Sequence, residues 1–527
     1  MVLVIGSGPA GVACASALLD GGEKVTMLDA GLELEPSRRM QRVNLQSTRS
    51  TSWSRGSTGF LRDGMEATRD GIPMKLAYGS DFAYRDPAGQ PISANGAYGK
   101  PSFARGGLSN VWGASVLPYR TEDMSGWPIT AGDLAPHYRA ALAMMPFAGR
   151  HDRLEEQFPL YHDEPGALGC SSQAEALLRD LELSASHLAA RGVSFGASRL
   201  AVQAEGAGGK PGCVHCGMCL YGCPYEFIHN SAQTLDKLPG NSAFTYRPGV
   251  IVERLEEVSS QVEVTGRHTD SGERFQMRAT KVFVACGVLS TARIMLASLE
   301  AYGQPLHALD NCYFLLPLMR YRGRPAALDE RLHTLAQVFI EVVDPAIGPR
   351  RAHLQVYTYN ELLGEEFARM MGPLRGALPM IKRRVLGRLL LVQGYLHSDL
   401  SAGIRIVLKR GSDGASPRLD LSGRPNPKTR PALAALRRRL WSERGAMKAV
   451  PISPMLRVGL PGRGFHTGGT FPMTANPGPF QVDVWGRPPG FTRVHLVDAS
   501  VFPSLPATTI TLSVMANAHR IGTAAIV

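Results

Sequence analysis

The first 29 residues constrain the fold of this chain more than any other segment. An apolar run at residues 2–5 precedes the sequence GSGPAG at residues 6–11, an apolar run of helical length, and a second strand-like run that ends at Asp29. This order of strand, G-x-G-x-x-G, helix, strand and acid is typical of a dinucleotide-binding unit. The segment therefore predicts an α/β fold with a Rossmann-like parallel sheet.

Each glycine of this motif has its own physical task. Gly6 allows the tight turn after the strand, Gly8 lets the backbone approach a pyrophosphate, and Gly11 allows close packing of helix on strand. A pyrophosphate is expected at the helix N-terminus, where unpaired N–H groups and the helix dipole favour anions. Asp29 can accept hydrogen bonds from ribose hydroxyls. The motif alone does not distinguish FAD from NAD.

Further motifs lie in the middle of the N-terminal region and near the C-terminus. Residues 106–113 read GGLSNVWG, residues 465–473 read FHTGGTFPM, residues 482–486 read VDVWG, and residues 494–503 read VHLVDASVFP. In this order they resemble the GMC (glucose–methanol–choline) family of FAD-dependent oxidoreductases. That family has a flavin-covering G-G-S-S-x-x-W-G loop and, near its C-terminus, a His followed by G-T and Met, then V-D-x-x-G and V-x-D-x-S-x-x-P.

The resemblance implies an FAD-binding domain that is interleaved with a substrate domain built on an antiparallel sheet. The expected FAD domain combines residues 1–120, 235–300 and 455–527, the cap segment is 121–234, and the substrate domain is 301–454. The cofactor-binding residues that the resemblance implies are Gly6, Gly8, Gly11, Asp29, Gly106, Gly107, Asn110 and Asp498.

The resemblance also implies a reaction, the oxidation of an alcohol by hydride transfer to flavin N5. His466 matches the family's active-site histidine, and imidazole suits a general base because its ordinary pKa lies near neutrality. The family's second His or Asn falls here on Thr509, which can donate or accept a hydrogen bond but does not titrate usefully. Either His466 works with this hydroxyl alone, or another residue supplies the second contact.

Half of the eight cysteines fall within one short run. The spacing C-x2-C-x2-C-x3-C-P is that of bacterial ferredoxins and predicts a 4Fe–4S or 3Fe–4S cluster. A zinc site and a reduced loop without metal are the alternatives. The predicted ligands are Cys213, Cys216, Cys219 and Cys223.

These motifs together predict an FAD-dependent dehydrogenase of an alcohol, with a small-molecule or lipid-linked sugar or glycoside as the expected substrate. Electrons would leave through the cluster to a one-electron acceptor or a quinone. The alternatives are a metal-free FAD oxidase of the same family and an electron-transfer flavoprotein without substrate oxidation.

The chain carries a net charge of +12, and six of its basic residues lie between residues 369 and 388, in an acid-free stretch. We expect either a basic amphipathic helix pair on a membrane surface, over residues 367–392, or a substrate-domain segment with solvated charges. Nucleic-acid binding is not expected, because the basic residues are not interleaved with stacking aromatics. The N-terminus lacks the pattern of a signal peptide, so the expected location is cytoplasmic, with a peripheral contact on the inner membrane face.

Overall fold

The structure, a computed structural model, describes residues 1–64, 72, 74–204, 206, 211–370, 379–411 and 416–526. Its strands are β1 (Val2–Ile5), β2 (Val25–Leu28), β3 (Ile92–Asn95), β4 (Val193–Ala197), β5 (Phe244–Arg247), β6 (Val250–Val258), β7 (Gln261–His268), β8 (Arg274–Ala279), β9 (Lys281–Val284), β10 (Pro305–Asp310), β11 (Cys312–Arg320), β12 (Val338–Val342), β13 (Ala352–Tyr357), β14 (Leu389–Leu396), β15 (Gly403–Lys409), β16 (Arg418–Arg424), β17 (Ala449–Pro451), β18 (Arg457–Val458), β19 (Thr467–Gly468) and β20 (Val494–Leu496). Its α-helices are α1 (Pro9–Asp20), α2 (Pro36–Gln46), α3 (Arg55–Thr58), α4 (Ala131–Ala143), α5 (Ser172–Leu183), α6 (Ala185–Ala190), α7 (Ser231–Leu235), α8 (Val288–Ser298), α9 (Glu361–Met370), α10 (Pro379–Leu386), α11 (Thr429–Ser442), α12 (Arg444–Met447) and α13 (Thr511–Ala524).

A five-stranded parallel sheet forms the floor of the molecule, in the order β20-β9-β1-β2-β5. All four residues of β1 and of β2 are buried, as expected for parallel strands that are covered on both faces. Its strands come from three separate stretches of the chain. Helix α13 lies against α1, where a Cβ placed on Gly522 would be 3.0 Å from the carbonyl oxygen of Cys14. The predicted Rossmann-like sheet is confirmed.

A seven-stranded antiparallel sheet stands over this floor, in the order β17-β11-β14-β13-β12-β4, with β18 paired to β11. Residues 354–359 and 403–408, where apolar and polar side chains alternate in the sequence, overlap β13 and β15. The latter belongs to a further sheet, β19-β10-β15-β16-β3. The mixed α/β fold class with an antiparallel sheet is confirmed, whereas the domain boundaries stay a prediction.

The basic stretch 367–392 differs from its prediction as a helix pair. Residues 379–386 form α10, but residues 389–392 belong to β14, a largely buried strand between β11 and β13. The apolar run fits a strand as well as a helix, and pairing with two distant strands decides between them. Residues 371–378 lie outside the described residues. Among the described helices, none has the length and apolarity needed to cross a bilayer, and the location of the protein stays a prediction.

Candidate functional site

The glycine motif forms a tight cradle between β1 and α1. Gly6 has a φ of +99°, and a Cβ there would lie 2.7 Å from the carbonyl oxygen of Ala285. A Cβ on Gly11 would lie 1.9 Å from the carbonyl oxygen of Gly6, so only glycine lets the helix pack this closely. A Cβ on Gly8 would meet nothing within 4 Å, because its backbone faces open space at the start of α1.

The loop that carries Gly106 and Gly107 lies directly on this cradle. The N–H of Gly106 donates to Ser7 Oγ at 2.9 Å, and a Cβ on Gly107 would lie 3.2 Å from Gly8 Cα. Both glycines have positive φ, of 85° and 60°. The side-chain amide of Asn110 donates to the carbonyl oxygens of Arg105 and Gly107, which fixes the shape of the loop.

Two buried carboxylates sit where strands of the parallel sheet end. Asp29 follows β2 and accepts hydrogen bonds from Ser7 Oγ and from Tyr246 Oη; burial raises its pKa to about 6. Asp498 lies just beyond β20 and accepts from the N–H of Gly287 at 2.8 Å and from Thr291 Oγ1 at 2.5 Å; burial raises its pKa as well. The carboxyl edge of the sheet therefore gathers the predicted cofactor residues from both ends of the chain.

A cavity of about 250 Å³ lies at this edge, and we call it the small cavity. Its walls include the glycine motif, Asp29, Gly107 and Asp498. A second, large cavity of about 370 Å³ adjoins it. Five residues line both cavities, namely Pro9, Leu108, Phe465, Ile510 and Thr511. The two cavities together form an elongated space that suits a dinucleotide with a substrate beyond it.

His466 lines the large cavity and stacks on Tyr395, with ring centroids 4.7 Å apart and planes 16° apart. Burial lowers its pKa to about 4. The ring is therefore neutral at pH 7. Within the described part of the chain, its buried Nδ1 has no hydrogen-bond partner.

Thr509 lines the same cavity as His466. Its Oγ1 accepts a hydrogen bond from the backbone N–H of Leu117 at 2.8 Å. Because a hydroxyl both donates and accepts, the hydroxyl hydrogen of Thr509 remains available to a bound molecule. The structure thus brings together the two residues that the sequence singled out for catalysis.

One face of the antiparallel sheet forms a wall of the large cavity. Every second residue of three adjacent strands points into it, since side chains alternate across a strand. The wall residues are Tyr313, Leu315 and Pro317 from β11, Gln355 and Tyr357 from β13, and Leu389, Leu391, Gln393 and Tyr395 from β14. The sequence analysis missed the polar members of this wall. The signal was present in β13, where His and Gln alternate with apolar residues inside a buried strand.

A buried polar chain lies beside the cavity, on the same face of the antiparallel sheet. His353 Nδ1 contacts Glu341 Oε1 at 2.5 Å, and both side chains are fully buried. With that carboxylate accepting from Nδ1–H, the other ring nitrogen accepts from Gln355 Nε2 at 3.2 Å. Gln355 Oε1 in turn accepts from Ser115 Oγ at 3.4 Å. The chain holds the Gln355 amide in a fixed orientation at the cavity surface.

The cysteine run forms a loop beside the large cavity, but the predicted iron–sulfur cluster is not supported. Burial raises the pKa of the Cys223 thiol to about 11, and Cys219 Sγ accepts a hydrogen bond from the N–H of Thr334 at 3.4 Å. In the ranges that the structure describes, no three His, Cys, Asp or Glu side chains are arranged to hold a metal ion. The four predicted ligands, none of which forms a disulfide within the described residues, are Cys213, Cys216, Cys219 and Cys223.

The cysteine loop has a structural task instead. Tyr78 joins it through its N–H to the carbonyl oxygen of Tyr221 at 2.7 Å, and through its hydroxyl to that of Cys223 at 2.9 Å. Gly222, at a φ of +103°, packs against the Tyr78 ring. These bonds hold Leu220 in the cavity wall.

Comparisons with known proteins agree with this arrangement. Residues 454–518 match the family model described as GMC oxidoreductase. A curated relative, 6'''-hydroxyparomomycin C oxidase of Streptomyces lividus, is 25% identical over 311 residues, which cover 57% of this chain and 50% of the relative. The chain thus spans about half the length of that relative.

Solved structures extend the likeness to the whole fold. Pyridoxine 4-oxidase from Mesorbium loti is 15% identical with a TM-score of 0.59, over 99% of this chain and 98% of that one. Aspergillus oryzae RIB40 formate oxidase is 14% identical with a TM-score of 0.58, over 99% and 97%. The matched C-terminal segment carries His466, Thr509 and Asp498, and the fold agrees from end to end. The C-terminal segment is therefore similar to the GMC oxidoreductase family, and the fold of the whole chain is similar to that of these oxidases.

Proposed function

We propose that this protein is an FAD-dependent oxidase that oxidises an alcohol group of a small molecule and passes the electrons to oxygen. The observation that carries this proposal is the position of His466. It presents a neutral imidazole, with an unpartnered Nδ1, at a cavity that adjoins a dinucleotide cradle. An alcohol gives up hydride only as its hydroxyl proton is removed, and a neutral imidazole can accept that proton.

The residues around the small cavity fit FAD. The open backbone face at Gly8 leaves room for a pyrophosphate at the start of α1, and Asp29 would accept hydrogen bonds from a ribose. Leu108 and Ile510, which line both cavities, would hold its ring end. Bound FAD would supply the acceptor for the hydride of the C–H bond, and its reoxidation by oxygen would give hydrogen peroxide.

The chain's own contribution is to hold the alcohol and move its proton. His466 accepts the hydroxyl proton, and stacking on Tyr395 fixes the plane of its ring. Thr509 donates its hydroxyl hydrogen to the same substrate oxygen, with its own Oγ1 held by the N–H of Leu117. Its hydroxyl thereby replaces the second His or Asn of the family. The apolar cavity walls exclude water, which strengthens these contacts.

The oxidase assignment is supported by the comparisons, because the curated relative and both solved structures are named as oxidases. The remaining alternative from another class is a flavoprotein that transfers electrons without oxidising a substrate.

The test is a direct one. The purified protein is expected to release FAD on denaturation, and anaerobic addition of an oxidisable alcohol should bleach the flavin band. Admission of air should then restore the band, with one hydrogen peroxide formed for each aldehyde. Bleaching without reoxidation by oxygen would support a dehydrogenase, and a flavin that no alcohol bleaches would support the electron-transfer alternative.

A further inference from the structure

The large cavity has a lysine in its wall. Lys75 is among its lining residues, and no aspartate or glutamate lies among them in the part of the chain that the structure describes. Like charges in a low-dielectric cavity repel, whereas opposite charges attract. The ammonium group of Lys75 therefore favours an anionic substrate group over a cationic one.

Lys75 is the informative residue of this wall. Its Nζ donates to the carbonyl oxygen of Trp112 at 2.5 Å, and it forms no ion pair with a described residue. An ammonium group has three N–H donors, so this carbonyl satisfies only one of them.

A charge that is partly removed from water and has no counter-ion among the described residues is costly, and the cost falls when an anion binds. Lys75 lines the cavity that also holds His466 and Thr509, so an anion bound by Lys75 would belong to the molecule being oxidised. Burial also lowers the pKa of Lys75 to about 8, which leaves the side chain mostly protonated at pH 7.

The other lining residues indicate the shape and polarity of that molecule. Aromatic rings and aliphatic side chains dominate, and the same space has to accept the flavin ring, so a compact flat substrate fits better than an extended sugar chain. The aromatic lining residues are Tyr84, Trp112, Tyr313, Tyr357, Tyr395 and Phe465.

We infer that the substrate is a compact aromatic alcohol that carries a carboxylate or a similar anionic group, that Lys75 binds this group, and that the cavity rejects ammonium-bearing amino sugars. This inference rests on the proposed alcohol oxidation and deepens it. The redox step is unchanged: the C–H bond breaks with its electron pair passing through FAD to oxygen, and the hydroxyl proton goes to His466.

The test compares alcohols that share one ring. The probes are 4-(hydroxymethyl)benzoate, benzyl alcohol and 4-(aminomethyl)benzyl alcohol, with paromomycin as an amino sugar. The FAD-loaded enzyme should show the highest kcat/KM for the carboxylate, with roughly a 10- to 100-fold advantage over the neutral alcohol and no measurable turnover of the two ammonium compounds. A higher kcat/KM for the ammonium probe would overturn the inference.

Variants at Lys75 assign the effect to one side chain. Lys75→Met should remove the advantage of the carboxylate probe, Lys75→Arg should restore most of it, and Lys24→Met, at an exposed site far from the cavity residues, should leave the ranking as it is. A ranking that survives Lys75→Met would overturn the assignment.

A binding measurement separates this inference from the proposed function. Calorimetric titration with terephthalate, a non-oxidisable dicarboxylate of the same ring, should show binding to the native enzyme that Lys75→Met weakens by roughly 10- to 100-fold. If no alcohol is oxidised but this Lys75-dependent binding is found, the oxidase proposal fails and the anion site stands. If terephthalate binds equally to both proteins, or to neither, the anion site is refuted.

Discussion

Two sheets enclose the site, the parallel sheet as its floor and the antiparallel sheet as its wall. They present opposite kinds of chemical groups to the cavities. On the floor, the parallel sheet offers glycine backbone and the buried carboxylates of Asp29 and Asp498, each held by N–H or O–H donors. On the wall, alternate side chains of β11, β13 and β14 face the large cavity, and its described lining residues include cations but no carboxylate. If the protein works as we propose, the floor would hold the one cofactor, whereas the wall would select the substrate.

The largest effect is expected on the floor. Gly11→Ala places a Cβ at 1.9 Å from the carbonyl oxygen of Gly6, so the cradle has to open and FAD binding should be lost. The ratio of flavin to protein after purification measures this. Gly240→Ala is the matched control, because a Cβ there meets nothing within 4 Å. A flavin content equal to that of the native protein would show that the cradle is not the cofactor site.

On the boundary between floor and wall, His466→Gln should keep FAD and lower the rate of flavin reduction by roughly 100- to 10,000-fold, the usual contribution of a general base. Stopped-flow absorbance under anaerobic conditions measures that rate. His151→Gln, at an exposed histidine, serves as the control. Reduction at the native rate would remove His466 from its role as proton acceptor.

Beside the cavity, Glu341→Leu should lower the free energy of unfolding by about 1–3 kcal/mol, because it leaves the buried Nδ1–H of His353 without an acceptor. Denaturant titration measures the loss. Glu182→Leu breaks the exposed pair with Arg153 and should leave the midpoint unchanged. Equal midpoints for both variants would mean that the buried pair does not stabilise the wall.

The smallest effect is a pH dependence that separates the wall cation from the base. Burial lowers the pKa of His466 to about 4, so the base is neutral and active at any pH well above that, and turnover should fall only as pH drops toward 4. Burial lowers the pKa of Lys75 to about 8, so its charge and the advantage of the carboxylate probe should be lost as pH rises through 8. Profiles of kcat/KM for benzyl alcohol and 4-(hydroxymethyl)benzoate check both signs; parallel profiles would contradict the separation.

The sequence predicts the floor better than the wall for a physical reason. Gly6, Gly8, Gly11 and Asp29 lie within one supersecondary unit, so local spacing already specifies their arrangement. The motif around His466 is local as well. The spacing of the cysteine run, by contrast, does not specify where its sulfur atoms point. Among the described residues, the structure does not support the predicted cluster.

The wall depends on pairing between strands that are distant in the chain. Gln355 lies opposite Gln393 only because β13 pairs with β14. The same pairing places residues 389–392, an apolar run that follows a basic helix-like sequence, in a central strand. Lys75 reaches the cavity from a loop that no motif marks. Positions of this kind follow from tertiary contacts, which a single sequence does not display.

The parallel sheet has a consequence for synthesis of the protein. Strand β1 pairs with β9, which in turn pairs with β20, and α13 lies against α1, so the first and last parts of the chain complete one layer. Contacts with such sequence separation form late, since a long loop must close before they contribute. On the ribosome, the cradle residues therefore emerge hundreds of residues before Asp498 and α13. We expect FAD to be taken up only after the C-terminal strand has left the exit tunnel, so flavin uptake reports that folding is complete.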